Sequence, residues 1–182
     1  MEIGLRWENY RKTLSEASRD DSADVSLIDS PCKAYKLDDY SVKVCRKLRG
    51  GVTLAGCDAF CESGGTFWFI EFKNQDAKDI DAEEIRKKAY DSISTVRMAV
   101  DQEITLDELC GRAVFLVVYR DEDPSAEDAI ERAVAGLAGM YPIRWGLRKI
   151  LGKLYREIHT IPAAAFCEKW IPVIWGEEIQ QL

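Results

Sequence analysis

Asp58, Glu71 and Lys73 are the residues whose types and spacing could do chemistry together. They lie in residues 56–74, GCDAFCESGGTFWFIEFKN. Gly64-Gly65 supplies the positive φ angles of a two-residue hairpin turn, which predicts two paired strands. With the turn centred there, Asp58 falls opposite Glu71, and alternation puts Phe67, Phe69, Glu71 and Lys73 on one face. Two carboxylates and an ammonium then converge at the end of an apolar hairpin, a costly place for charge unless it binds or catalyses something. The chemistry that fits is phosphodiester hydrolysis. Paired carboxylates hold a hard cation such as Mg²⁺ or Mn²⁺, which polarises a phosphoryl group and acidifies a water. The lysine orients that water or stabilises charge developing on the phosphate. The plain alternative is a hairpin closed by a structural salt bridge.

An Asp, twelve intervening residues and then Glu-x-Lys on an aromatic-rich strand resembles the PD-(D/E)xK nuclease superfamily. The resemblance implies a restriction-endonuclease-like fold in which Asp58 and Glu71 bind the metal and Lys73 serves the reaction. Cys57 stands where the family name has proline. RecB-type relatives often carry Gln-x-x-x-Tyr on the next helix; here Arg86-Lys87-Lys88-Ala89-Tyr90 keeps the tyrosine and replaces the glutamine. Arg86, Lys87 and Tyr90 are thus candidate phosphate contacts. Members of the superfamily also place an acid on a helix before the core strands, for which Glu8 and Glu16 are both available.

The elements around this stretch read as follows. Residues 3–18 suggest a first helix, 19–31 a loop, and 35–48 a strand alternating around Tyr40, Val42 and Val44. Residues 49–51 form a turn, and 52–60 the strand bearing Asp58. Residues 82–100 are the clearest helix, with Ile85, Ala89, Ile93, Val96 and Val100 on one face. Residues 112–120, apolar between charged ends, read as the central strand, covered on both faces. Further helices are expected over 124–140 and, basic and amphipathic, over 144–158. The apolar tail, 162–182, packs on the sheet or adds an edge strand; exposed, its tryptophans would mark a partner surface. The order predicts one α/β domain over residues 1–182, a central mixed β-sheet flanked by helices.

Composition bounds the rest. A hydrophobic share of 47% with 31% charged residues is that of a globular chain. No basic start followed by an apolar run is present, and the longest apolar run is too short to span a bilayer. A cytoplasmic protein without a membrane segment is expected. The six cysteines then read as reduced thiols. Cys57-x-x-x-Cys61 has no second pair, and His159 is the sole histidine, which argues against a zinc site. Relatives of the resembled superfamily that carry an iron–sulfur cluster have a closely spaced C-terminal cysteine group, where this chain has only Cys167, so no cluster is expected. The net charge of −7 is unfavourable for nucleic acid, although bases gather in 33–49 and 144–156.

The leading expectation is therefore a Mg²⁺- or Mn²⁺-dependent nuclease acting on DNA or RNA, with a homodimer or protein partner supplying basic surface. A non-catalytic interaction module with a vestigial site is the alternative. An acidic mimic binding a basic partner would explain the charge but not Lys73.

Overall fold

The computed structural model describes residues 7–20, 24–47, 54–99, 104–120 and 141–179. Along the chain run β1 (Arg11–Thr13), α1 (Leu14–Ala17), β2 (Arg19–Asp20), β3 (Val25–Ser26), β4 (Lys33–Tyr35), α2 (Leu37–Lys47), β5 (Ala59–Ser63) and β6 (Thr66–Lys73). Then follow α3 (Ala82–Ala99), α4 (Leu106–Arg112), β7 (Ala113–Tyr119), β8 (Glu157–Pro162) and α5 (Ile171–Ile179). Six strands form one mixed sheet in the order β1-β4-β5-β6-β7-β8, antiparallel as far as β6 and parallel from β6 to β8. The result is an α/β fold.

The hairpin lies at the middle of this sheet, and its turn is the predicted one. Gly64 and Gly65 have φ of 55° and 72°, which two residues without a Cβ adopt without strain. Phe60 faces Phe69 across the strands, and Ala59 faces Ile70. Alternation along β6 splits its side chains between two cores. Phe67 and Phe69 join Ile85, Ala89, Ile93 and Val96 of α3 on one face. Trp68, Ile70 and Phe72 join Phe166, Ile174 and Trp175 on the other. Helices therefore cover both faces. Cys57 lies in the first core and Cys61 in the second, so the two thiols do not share a site.

Several expected elements are different. Residues 8–18 are not one helix: a single 3₁₀ turn (Glu8–Tyr10) leads into β1, which pairs with β4. Thr13 and Glu16 then form a reciprocal capping box that starts α1 afresh, so no helix runs through Thr13. Residues 37–47 form α2 instead of a strand. Leu37, Tyr40 and Ser41 recur at helical spacing toward the core, while Val42, one member of the apparent alternation, is exposed. Asp38 and Asp39 occupy the first turn, where the helix dipole favours them.

The strand expected over 52–60 begins only at Ala59. Before it, the backbone is bonded to α3: the Ala55 N–H donates to Asp91 and the Cys57 N–H to Ser92 Oγ, each at 2.8 Å. Gly56 passes so close to α2 that a Cβ there would lie 2.7 Å from the Leu37 carbonyl oxygen. β7 is buried at every position but is fifth of the six strands, leaving the centre to β5 and β6.

The basic helix expected over 144–158 is replaced by a 3₁₀ turn (Leu147–Lys149), a loop and β8. Trp145, Gly146 and Gly152 all have positive φ, which breaks helical continuation despite the apolar spacing. Bases from this stretch therefore do not line up on one helix. The tail packs on the sheet as expected, but as helix: Ala163–Ala165, a π-helical turn (Phe166–Trp170) and α5. The expected turn at 49–51 and helix at 124–140 lie outside the described residues. Among the described residues no helix is long and apolar enough to cross a membrane.

Candidate functional site

Asp58, Glu71 and Lys73 converge at the end of the hairpin away from its turn. Glu71 sits on β6, one residue past the end of its pairing with β5 and beside Val117 of β7, and is fully buried. Asp58 precedes β5 by one residue. Its Oδ2 accepts the Phe72 N–H at 2.6 Å, which anchors the carboxylate and turns Oδ1 inward. Lys73 reaches Glu71 Oε1 at 3.2 Å and Glu84 Oε1, on the first turn of α3, at 2.6 Å.

A fourth residue completes the cluster. Lys88, on α3, sets its ammonium 3.1 Å from Asp58 Oδ1 and 2.7 Å from Glu71 Oε1. Both carboxylates thus already point at a single positive charge. Glu71 Oε2 is buried and, among the described residues, has no hydrogen-bond partner. A chain of bonds fixes the backbone of Lys88 relative to Asp58. Ser92 Oγ donates to the Lys88 carbonyl at 2.6 Å and accepts the N–H of Cys57, the neighbour of Asp58.

The charges perturb one another. Burial pushes Glu71 well above the ordinary carboxylate range, and the Asp58 charge adds to this, against the opposing ammoniums of Lys88 and Lys73. Lys88 is held more firmly protonated than a free lysine: burial works against its charge, and Glu71 and Asp58 together outweigh burial. Lys73 is raised in the same sense: burial opposes its charge, and Glu71 and Glu84 together outweigh burial.

The cluster opens into a polar cleft of about 230 Å³. Asp58, Lys73 and Lys88 form its floor, and Lys36, Asp38, Arg19, Asn74 and Gln75 are among its walls. Asp38 is held at about 6 instead of 3.8, chiefly by burial and then by the Asp58 charge. An acid with a raised folded-state pKa binds more protons folded than unfolded, so its contribution to stability declines as pH rises from 3.8 toward 6. Asp38→Asn is accordingly expected to leave stability unchanged below pH 3.8 and to raise it at neutral pH. The gain at neutral pH, discounted for partial exposure, should be about 1 kcal/mol. Thermal melts of both proteins across this range test it; a neutral-pH gain that persists in acid would contradict the assignment.

The other candidates lie elsewhere. Arg86 donates to the Trp145 carbonyl at 3.0 Å, Lys87 pairs with Asp91 at 2.9 Å, and Tyr90 is half exposed. None of the three lines the cleft. Glu16 is engaged in its capping box and Glu8 approaches the Tyr35 hydroxyl at 3.4 Å. The acid that a preceding helix does bring to the cleft is Asp38 of α2. His159 lies on β8 against the Trp170 ring.

Lys88 and Asp38 were the residues sequence reasoning missed. For Lys88 a signal existed: with Ile85, Ala89 and Ser92 turned inward, a lysine at 88 stands on the inner side of α3. For Asp38 the signal was hidden by the misread helix α2.

The cluster can do two things chemically: hold one cation between two carboxylates, and present a positioned ammonium beside it. Among the described residues no group of three or more His, Cys, Asp or Glu is arranged to hold a metal, so a bound ion would draw its remaining ligands from water or substrate. Compared with known protein families, curated proteins and solved structures, the chain matches none of them, and its functional reading rests on this geometry.

Proposed function

We propose that the protein is a metal-dependent nuclease of the PD-(D/E)xK kind, hydrolysing phosphodiester bonds of DNA or RNA. The observation that carries this reading is the convergence of Asp58 and the buried Glu71 on one cation position, with Lys73 alongside, next to a polar cleft that Asp58 and Lys73 line. A mixed sheet with helices on both faces agrees with a restriction-endonuclease-like fold. The donor set fits Mg²⁺ or Mn²⁺: two hard carboxylates within reach of one cation, and a Glu71 oxygen that lacks a hydrogen-bond partner among the described residues. Such an ion supplies Lewis acidity toward a phosphoryl oxygen and a more acidic water.

The chain's own residues do the remainder. Asp58 is held by the Phe72 amide, so little reorganisation is needed when it binds. Glu84 holds the Lys73 ammonium beside Glu71, where it orients a water or meets charge on the phosphate. Lys36, paired with Asp38 and Asp39, and Arg19, paired with Asp24, line the cleft and would exchange these partners for flanking phosphates of a nucleic-acid strand. A second copy or a protein partner would extend this basic surface, which the net charge of −7 leaves small.

The test is incubation with single- and double-stranded DNA and RNA in Mg²⁺ or Mn²⁺, with Lys73→Ala run in parallel. Cleavage that requires the metal and falls by roughly 100-fold in the variant is the expected outcome. A second reading, a non-catalytic interaction module, is favoured by one observation: Lys88 already bridges the two carboxylates as a structural ion pair. Absence of cleavage on every substrate, with wild type and variant indistinguishable, would select it.

A further inference from the structure

We infer that the Lys88 ammonium occupies the divalent-ion position, so that the protein carries its own cation there and must release it before a metal binds. The inference rests on the metal-site reading above. Three observations lead to it. The ammonium bridges Asp58 Oδ1 and Glu71 Oε1 at 3.1 and 2.7 Å, the place a shared divalent ion would take. Lys73, the other ammonium, touches only one of these carboxylates and is retained by Glu84, so the two lysines are not equivalent. The Lys88 backbone is fixed through Ser92, whereas its side chain lines the open cleft, so the ammonium can leave by rotation of the side chain alone.

Two cations cannot both take the one position between Asp58 Oδ1 and Glu71 Oε1, because each needs the same two oxygens. Metal binding and the inward position of Lys88 are therefore mutually exclusive. The released ammonium faces the cleft, whose lining carries Lys36 and Arg19 as well as Asp20 and Asp38, and a phosphate oxygen is the counter-ion that an added ligand brings there. Anionic ligand and metal would then favour each other's binding, since each stabilises the outward lysine.

The experiment is a Mn²⁺ titration followed by the electron paramagnetic resonance of free aqueous Mn²⁺, with melting temperatures recorded in parallel. Wild type, Lys88→Arg and Lys88→Met are compared. Lys88→Met is expected to bind Mn²⁺ at least tenfold more tightly than wild type and to melt lower without Mn²⁺, recovering when it is added. Lys88→Arg, which keeps the charge, is expected to bind no more tightly than wild type. Adding Asp58→Asn to Lys88→Met should remove the gain. A folded Lys88→Met protein with wild-type Mn²⁺ affinity overturns the inference, and so does one that stays unfolded even with Mn²⁺ present. Folding of the variant only in the presence of Mn²⁺ supports it. Failure of the nuclease reading is separable: the affinity gain would still appear in a protein that cuts nothing.

Discussion

Glu71→Ala is expected to lower stability by about 3 kcal/mol and, under the nuclease proposal, to abolish metal-dependent cleavage. Glu71 is fully buried and, among the described residues, is the only carboxylate contacting both Lys73 and Lys88. Without it, two ammoniums face each other over a cavity at the end of a dry strand. Each can still turn toward a remaining acid, Glu84 or Asp58, which keeps the loss near the lower end for a broken buried pair. The cost comes from stranding charge rather than from losing a strong bond. A companion variant separates these: Glu71→Leu combined with Lys88→Met removes both charges and should return close to wild-type stability. Urea denaturation of the single and double variants provides the cycle. Equal stabilities for wild type and Glu71→Ala would mean that the cluster is solvated and the account of it incorrect.

Phe115→Ala is expected to cost about 4 kcal/mol, a large share of the roughly 5–15 kcal/mol that holds a domain together. Phe115 is fully buried in β7, in register with Phe69 on one side and Ile158 on the other, and its ring lies 5.0 Å from that of Tyr155. Tyr155 cannot collapse into the resulting space without giving up its 2.7 Å hydrogen bond to the Ala89 carbonyl. The cavity should therefore persist, which is what makes a deletion of this kind expensive. Val173→Ala, at a position 66% exposed, serves as the control and should stay within about 0.5 kcal/mol of wild type. A cost for Phe115→Ala no larger than that of the control would place β7 outside the core.

What could be read from the sequence divides by range. The hairpin, α3, β7 and the meeting of Asp58 with Glu71 and Lys73 follow from local signals: paired glycines, a helical stripe, an apolar run, and a register counted from a turn. The errors lie where two local patterns compete. Tyr40, Val42 and Val44 alternate as a strand does, yet Leu37, Tyr40 and Ser41 carry the helical spacing that the structure uses. Residues 147–158 show a helical stripe, but Gly146 and Gly152 adopt positive φ and the stripe is divided between a turn and β8. The Lys88 bridge and the place of Asp38 depend on how α3 and α2 dock against residues 54–58, a long-range matter that no window of sequence contains.

The ion cluster is drawn wholly from residues 58–88, so its members meet through short loop closures. β7, which shuts Glu71 in, follows α3 and α4 in the chain and pairs alongside β6 only after that longer connection is closed. Glu71 can therefore find its lysines while still wet and is dehydrated only when β7 docks. Association of β7 then carries the desolvation of the whole cluster, which makes it a late step in folding. In a chevron of Phe115→Ala, most of the destabilisation should accordingly appear as faster unfolding, with the refolding rate little changed.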